Sequence, residues 1–167
     1  MIQRSDSYPS PKTGLQSLLF CQMLMAIAGL AMLVLLVSWG YSTPEGKRNK
    51  FFQQGEAYFQ QGRFQEARLE LKNAVKIDPN FAKGHALLGH CYLELSNFQK
   101  AYAHLHKAAK LDPSLNEVQI TLGWFYLRGD RLEEAKGKVR LVLEQDPDNA
   151  EARLLEASVA YRSFIRE

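Results

Sequence analysis

From residue 48 onward, apolar side chains recur three and four positions apart in runs separated by short polar breaks. That spacing lays one apolar stripe along a helix, and no stretch shows the period-two alternation of a half-buried strand. The pattern predicts helices from Asn49 to Gln61, Phe64 to Ile77, Ala82 to Leu95 and Phe98 to Leu111. It continues with Asn116 to Arg128, Leu132 to Gln145 and a last helix from Ala150 to Phe164. Upstream the pattern changes: from Leu18 to Val37 every residue but Gln22 is apolar or small, and Gly14 to Pro44 contains no charge.

The helical pattern repeats every 34 residues, with Asp78-Pro79, Asp112-Pro113 and Asp146-Pro147 marking the register. Each proline lacks an N–H and drives the preceding Asp out of the α region, which ends the second helix of a pair. Gly55, Gly89 and Gly123 cost helix propensity, so they are expected where the partner helix approaches closely, opposite Ala67, Ala101 and Ala135. Tyr58, Tyr92 and Tyr126 and the positions Leu71, Leu105 and Val139 fall in the same frame. This set of small, aromatic and proline positions resembles the tetratricopeptide repeat over residues 48 to 163. The resemblance implies an all-α fold, an α-solenoid of three helix pairs at about 48–81, 82–115 and 116–149. A final helix, 150–164, closes it. Two readings of that helix stand: a solvating cap with Glu151, Arg153, Glu156, Arg162 and Arg166 outward, or an unfinished solenoid, self-associating or truncated, because Leu155, Val159 and Ile165 suggest an apolar stripe with no helix to cover it.

The apolar run sets the plan of the other end. Twenty residues at about 1.5 Å each span roughly 30 Å, a bilayer's hydrocarbon thickness. Residues 15–41 are therefore expected to be one transmembrane helix in the lipid bilayer, preceded by a disordered tail (1–14) and followed by a linker (42–47). Trp39 and Tyr41 fall at the interface. A cleavable signal peptide is the competing reading, with Ser38 and Gly40 before a cut. Cys21 begins the apolar run instead of ending it, so a lipid-attachment site is not expected there. Arg4 and Lys12 on one side against Lys47, Arg48 and Lys50 on the other leave the orientation nearly unmarked.

Candidate chemistry is sparse. His104 and His106 project to different sides of one helix, and His85 takes an aromatic core position, so no metal site is expected. Cys91 reads as a buried core thiol. Neither a phosphate-binding loop nor a catalytic constellation is present, and no cofactor is implied. The formal charge is only +3, with both signs mixed along every helix, which excludes a nucleic-acid stripe.

Binding by shape remains. In the family this chain resembles, the first helix of each pair lines a concave groove. The matching positions are Phe52, Glu56 and Phe59, then Lys83, His90, Leu93 and Glu94, then Ile120, Trp124, Leu127 and Arg128, and finally Leu154, Tyr161 and Arg162. An amphipathic helix or an extended peptide segment is the ligand such a groove implies. Phe59, Leu93 and Leu127 are equally well read as packing against the neighbouring pair. Trp124 is not required by the core, because the same frame holds Glu56, His90 and Ser158. The lysine and asparagine clamp by which some family members hold acidic chaperone tails is missing at Phe52, Glu56, Leu87, Glu117 and Thr121. The stretch from Ser42 to Pro79, with NAEARLLEA near the end, is similar to bacterial envelope repeat proteins of exopolysaccharide and protein-sorting systems. That likeness implies a non-enzymatic scaffold at the cytoplasmic membrane, its repeats on the extracytoplasmic side and bound to a partner protein. The alternatives are a cytoplasmic-side assembly adaptor or a regulatory subunit of a membrane enzyme.

Overall fold

The computed structural model describes residues 43–166 and seven positions between residues 22 and 32. Residues 1–43 and 44–167 form two separate units. The predicted membrane span lies largely outside the described residues. Its described positions are helical, and Met23, Met25, Ile27 and Met32 are exposed. Among the described residues no helix is long and apolar enough to cross a membrane.

The second unit is seven helices in sequence: α1 (Pro44–Gln60), α2 (Phe64–Ile77), α3 (Ala82–Glu94), α4 (Phe98–Leu111), α5 (Asn116–Arg128), α6 (Leu132–Gln145) and α7 (Ala150–Phe164). Periodicity located six of them to within a residue. The exception is α1, which begins at Pro44 and absorbs most of the stretch expected as a linker. Proline suits the first helical position, Glu45 complements the N-terminal dipole, and Arg48 meets Glu45 at 3.3 Å one turn on.

Successive helices pack as antiparallel pairs, and each pair stacks on the next. First helices touch across pairs, α1 with α3 and α5 with α7, more than second helices do. First helices therefore form the inner layer of the curve. Two groups of buried residues, one around Leu71, Leu88 and Cys91 and one around Leu105, Leu122 and Leu155, share Leu93 and Phe125 at their margins, so the core runs through the whole stack.

Each turn within a pair is built the same way. Gly62, Ser96 and Asp130 occupy the same frame position with φ of 72°, 56° and 58°. The next residue's N–H reaches back to the carbonyl of Tyr58, Tyr92 or Tyr126 at 2.9, 2.8 and 2.9 Å. This left-handed cap satisfies carbonyls that the helix end leaves open. Only the first copy uses glycine, the residue that suffers no Cβ penalty there.

The helical glycines correct one expectation. A Cβ on Gly55 would lie 2.6 Å from Leu71 Cγ, and one on Gly89 2.7 Å from Leu105 Cγ, so the nearest wall is a leucine one turn beyond the predicted alanine; at Gly55 the Ala67 carbonyl also stands close, at 3.3 Å, as expected. At Gly123 the wall is Leu155 of α7, and Val139 stands at the frame position that holds leucine in the first two copies. Leu155 and Val159 are accordingly buried, and only Ile165 of the suspected uncovered stripe is exposed. Where α3 and α5 offer Leu88 and Tyr92, or Leu122 and Tyr126, to a second helix, α7 carries Glu156 and Ala160. With Val139, Arg140, Leu143 and Val159 these two residues line an open cavity of about 470 Å³.

Candidate functional site

The turns between pairs carry a polar device that no residue type betrays. His85, Gln119 and Arg153 each stand six residues after a turn proline, and each side chain reaches that proline's carbonyl. The distances are 3.1 Å from His85 Nε2 to Pro79, 2.9 Å from Gln119 Nε2 to Pro113 and 2.9 Å from Arg153 Nε to Pro147. In the second and third pairs a residue of the second helix completes the chain: His104 Nδ1 lies 2.9 Å from His85 Nδ1, and Lys138 Nζ donates to Gln119 Oε1 at 2.8 Å. The protons follow from the acceptors. Pro79 offers only a carbonyl, so His85 is protonated at Nε2, its Nδ1 accepts, and His104 donates from Nδ1. His104 is stacked between His85 and Tyr92. Burial, then the neighbouring His85, Lys107, Lys100 and Lys72, push its pKa down to about 4. Both rings are thus neutral structural struts. The expectation that His85 fills a core position holds, and His90 and His104 are half-buried.

The sequence-predicted groove residues lie on the inner layer but differ in what packing leaves of them. Ile120 and Leu127 are 3% and 7% exposed and belong to the core, offering almost no surface to a ligand. Phe52, Phe59, His90, Leu93 and Trp124 are half-buried, and Glu56, Lys83, Glu94, Arg128, Leu154, Tyr161 and Arg162 are exposed. Phe52 meets Phe81 edge-on at 5.0 Å across the first and second pairs, while Phe59 meets Phe64 at 5.3 Å within the first pair and packs, like Phe52, against the buried group of Leu71, Leu88 and Cys91 that joins the two pairs. Arg48 reinforces that seam, 2.8 Å from Asp78 and over the Phe81 ring at 4.6 Å. The Arg48 guanidinium holds the Asp78 carboxyl below its ordinary pKa.

The next seam is open. Leu93, Phe98, Thr121, Trp124, Phe125 and Arg128 surround a cavity of about 410 Å³ between the second and third pairs. It exists because Leu93 takes the frame position that Phe59 fills one repeat earlier, and because Phe98, unlike its counterpart Phe64, turns outward to 55% exposure. Of the predicted residues, Leu93, Trp124 and Arg128 come together here. Phe98 and Phe125 were missed, since attention to the first-helix ligand positions omits the start of a second helix. His90 and Glu117 bridge the same two pairs at 3.4 Å. Cys91 is wholly buried, and burial pushes its thiol up to about 12, so it has no part in the surface chemistry. Among the described residues no group of His, Cys, Asp and Glu is arranged to hold a metal ion.

Comparison with known proteins places this geometry. A model described as TPR repeat matches residues 55–96 and another, Tetratricopeptide repeat, matches 93–159. Residues 55–159 therefore carry tetratricopeptide repeats. No curated protein matches the chain. Among solved structures, the Arabidopsis OM64 TPR domain is similar at 21% identity and a TM-score of 0.66, covering 72% of this chain and 99% of that one. The first TPR of Spaghetti (RPAP3), bound to the HSP90 peptide SRMEEVD, is 26% identical with a TM-score of 0.64, over 70% of this chain and 92% of that one. The Yersinia enterocolitica type III secretion chaperone SycD, in complex with a peptide of the translocator YopD, is 15% identical with a TM-score of 0.61, over 71% and 94%.

Proposed function

We propose that this tetratricopeptide-repeat solenoid is a binding scaffold that holds a peptide segment of a partner protein along its first helices. The open seam at Leu93 and Trp124 carries the reading: a sizeable apolar cavity on the inner layer that the chain's own side chains do not fill. Half-buried aromatic and aliphatic groups with charges around them make the composition of a binding hot spot. Two of the similar structures hold peptides, which supports a peptide over a small molecule. The acidic tail SRMEEVD is a poor model for this ligand. Glu56, Glu94 and Glu117 stand on the inner layer here, and the lysines and asparagines of a tail clamp do not.

The apolar run at 15–41 supports a membrane tether. Placement of the solenoid on the extracytoplasmic side rests on the likeness of the stretch from Ser42 to Pro79 to bacterial envelope repeat proteins, not on the run. Tethering raises the effective concentration of the solenoid near other membrane-bound chains, so modest affinity suffices. Self-association would use the exposed Leu154 and Tyr161 of α7. No reaction is assigned to the chain.

A photo-crosslinking side chain placed at Glu94, on the inner layer, is expected to capture a defined protein segment in cells. The same group at Leu69, exposed on a second helix, is expected not to. Equal capture at both sites would contradict the reading. Paired carboxyl-terminal reporters of membrane side test the placement, and an inside signal would turn the reading to a cytoplasmic assembly adaptor.

A further inference from the structure

The open seam has apolar walls, with the Trp124 indole N–H and the Arg128 guanidinium as its side-chain donors. Leu93, Phe98, Trp124 and Phe125 supply the walls, and the Thr121 hydroxyl donates to the Glu117 carbonyl at 2.8 Å, which leaves its oxygen as the one side-chain acceptor of the lining. The Trp124 indole N–H and the Arg128 guanidinium cannot accept hydrogen bonds. Neither has a hydrogen-bond or ion-pair partner among the described residues. Arg128 shares this with Arg68, Arg140 and Arg162, whereas Arg48, Arg63, Arg131, Arg153 and Arg166 each meet a carboxylate of the same chain; among the four, Arg128 alone lines the open seam. An exposed guanidinium at the rim of an apolar cavity suits a planar anionic acceptor, which it can hold through two parallel N–H donors.

The rest of the face limits how much negative charge is welcome. Glu94 occupies in the second pair the frame position that Arg128 occupies in the third, and Glu117 lies one helical face away beside His90. A run of acidic residues would meet both. A single carboxylate would meet only the arginine.

From this geometry we infer that the seam between the second and third pairs reads a peptide by one large apolar side chain, buried against Leu93, Phe98 and Trp124, next to one carboxylate, paired with Arg128. The inference deepens the proposed scaffold function and rests on it. The apolar side chain supplies burial. The carboxylate sets register, because Arg128 is the one charged side chain of the lining.

The test uses the full chain in detergent with Trp39→Phe, which leaves Trp124 as the sole tryptophan. Three panels of short, terminally amidated peptides carry a central Leu or Phe followed by Asp, Asn or Asp-Asp-Asp. A fourth ends in Leu or Phe with a free carboxylate. Trp124 emission reports occupancy. The single-Asp panel is expected to bind about tenfold more tightly than the Asn panel, in line with a hydrogen bond to a charged group. The triple-Asp panel should bind more weakly than the single-Asp panel. Arg128→Gln should erase the preference for Asp over Asn and leave the melting temperature unchanged. Tight binding confined to the fourth panel would assign the carboxylate to a chain terminus; tight binding of the first assigns it to a side chain. Equal binding of Asp and Asn panels, or a preference that survives Arg128→Gln, overturns the inference and leaves the scaffold reading standing. Failure of every panel to move Trp124 emission would count against a peptide site at this seam altogether.

Discussion

The two inner seams are assembled from the same 34-residue frame and end in opposite states. At the first, Phe52 meets Phe81 edge-on across the pairs, Phe59 packs on the shared buried group while meeting Phe64 of its own pair, and Arg48 locks α1 to the Asp78 turn. At the second, leucine at position 93 is too small to reach across, Phe98 turns outward, and the gap is rimmed by Trp124 and Arg128. Their polar struts differ too: a neutral imidazole pair at the first seam, and a lysine on a glutamine at the second. A repeat frame thus fixes where helices go, while a few side chains decide whether a given interface is core or site.

The largest effect is expected from opening the closed seam. Phe59→Ala should cost roughly 2–3 kcal/mol in chemical denaturation, the lower range for deleting an aromatic ring that is not wholly buried. Leu93→Ala should cost about half as much, since part of its surface already faces the cavity. Similar losses at both positions would mean the seams do not differ in packing.

Acid should distinguish the struts. His104 titrates at about 4 in the fold against an ordinary 6.5, so as pH falls the unfolded chain takes up the proton first. Stability from this group is complete above about pH 6.5 and is lost as pH drops toward 4, a change on the order of 1–2 kcal/mol at pH 5. Installing the other seam's strut, with His85→Gln and His104→Lys together, should leave the chain folded and remove that component of the acid dependence. Melting curves across this range check both points, and an unchanged pH slope in the double variant would refute the assignment.

The smallest effect on stability is expected at Trp124. Trp124→Ala should lower the melting temperature by less than about 10 °C while abolishing capture from Glu94, because the indole lines the cavity and is not part of the buried core. A larger drop would return Trp124 to a structural role.

Much of this was legible beforehand. The prolines, glycines and apolar spacing of the 34-residue frame located six helices to within a residue, because chain-breaking chemistry and amphipathic period act locally. The start of α1 at Pro44 escaped notice because the residues up to Lys50 have no apolar stripe, and their helix rests on capping and on ion pairs of Arg48. The candidate site was only partly legible. Frame positions marked Leu93, Trp124 and Arg128, but the same rule marked Ile120 and Leu127, which neighbouring helices bury. Exposure depends on the size of residues one repeat away: Leu155 behind Gly123, or Phe59 against Leu93, and no single position reports it. The proline struts were illegible for a related reason: histidine, glutamine and arginine share no composition, only a donor at one distance from a carbonyl.

The most direct test fills the open seam with the side chain that closes the other. Leu93→Phe should keep the melting temperature within a few degrees, the size expected when an added side chain enters space rather than a packed core. It should weaken binding of the peptide captured from Glu94 by at least about tenfold, the loss of one buried anchor. Unaltered affinity in a variant shown to be folded would mean that the partner does not use this seam, and the account of the site would be wrong.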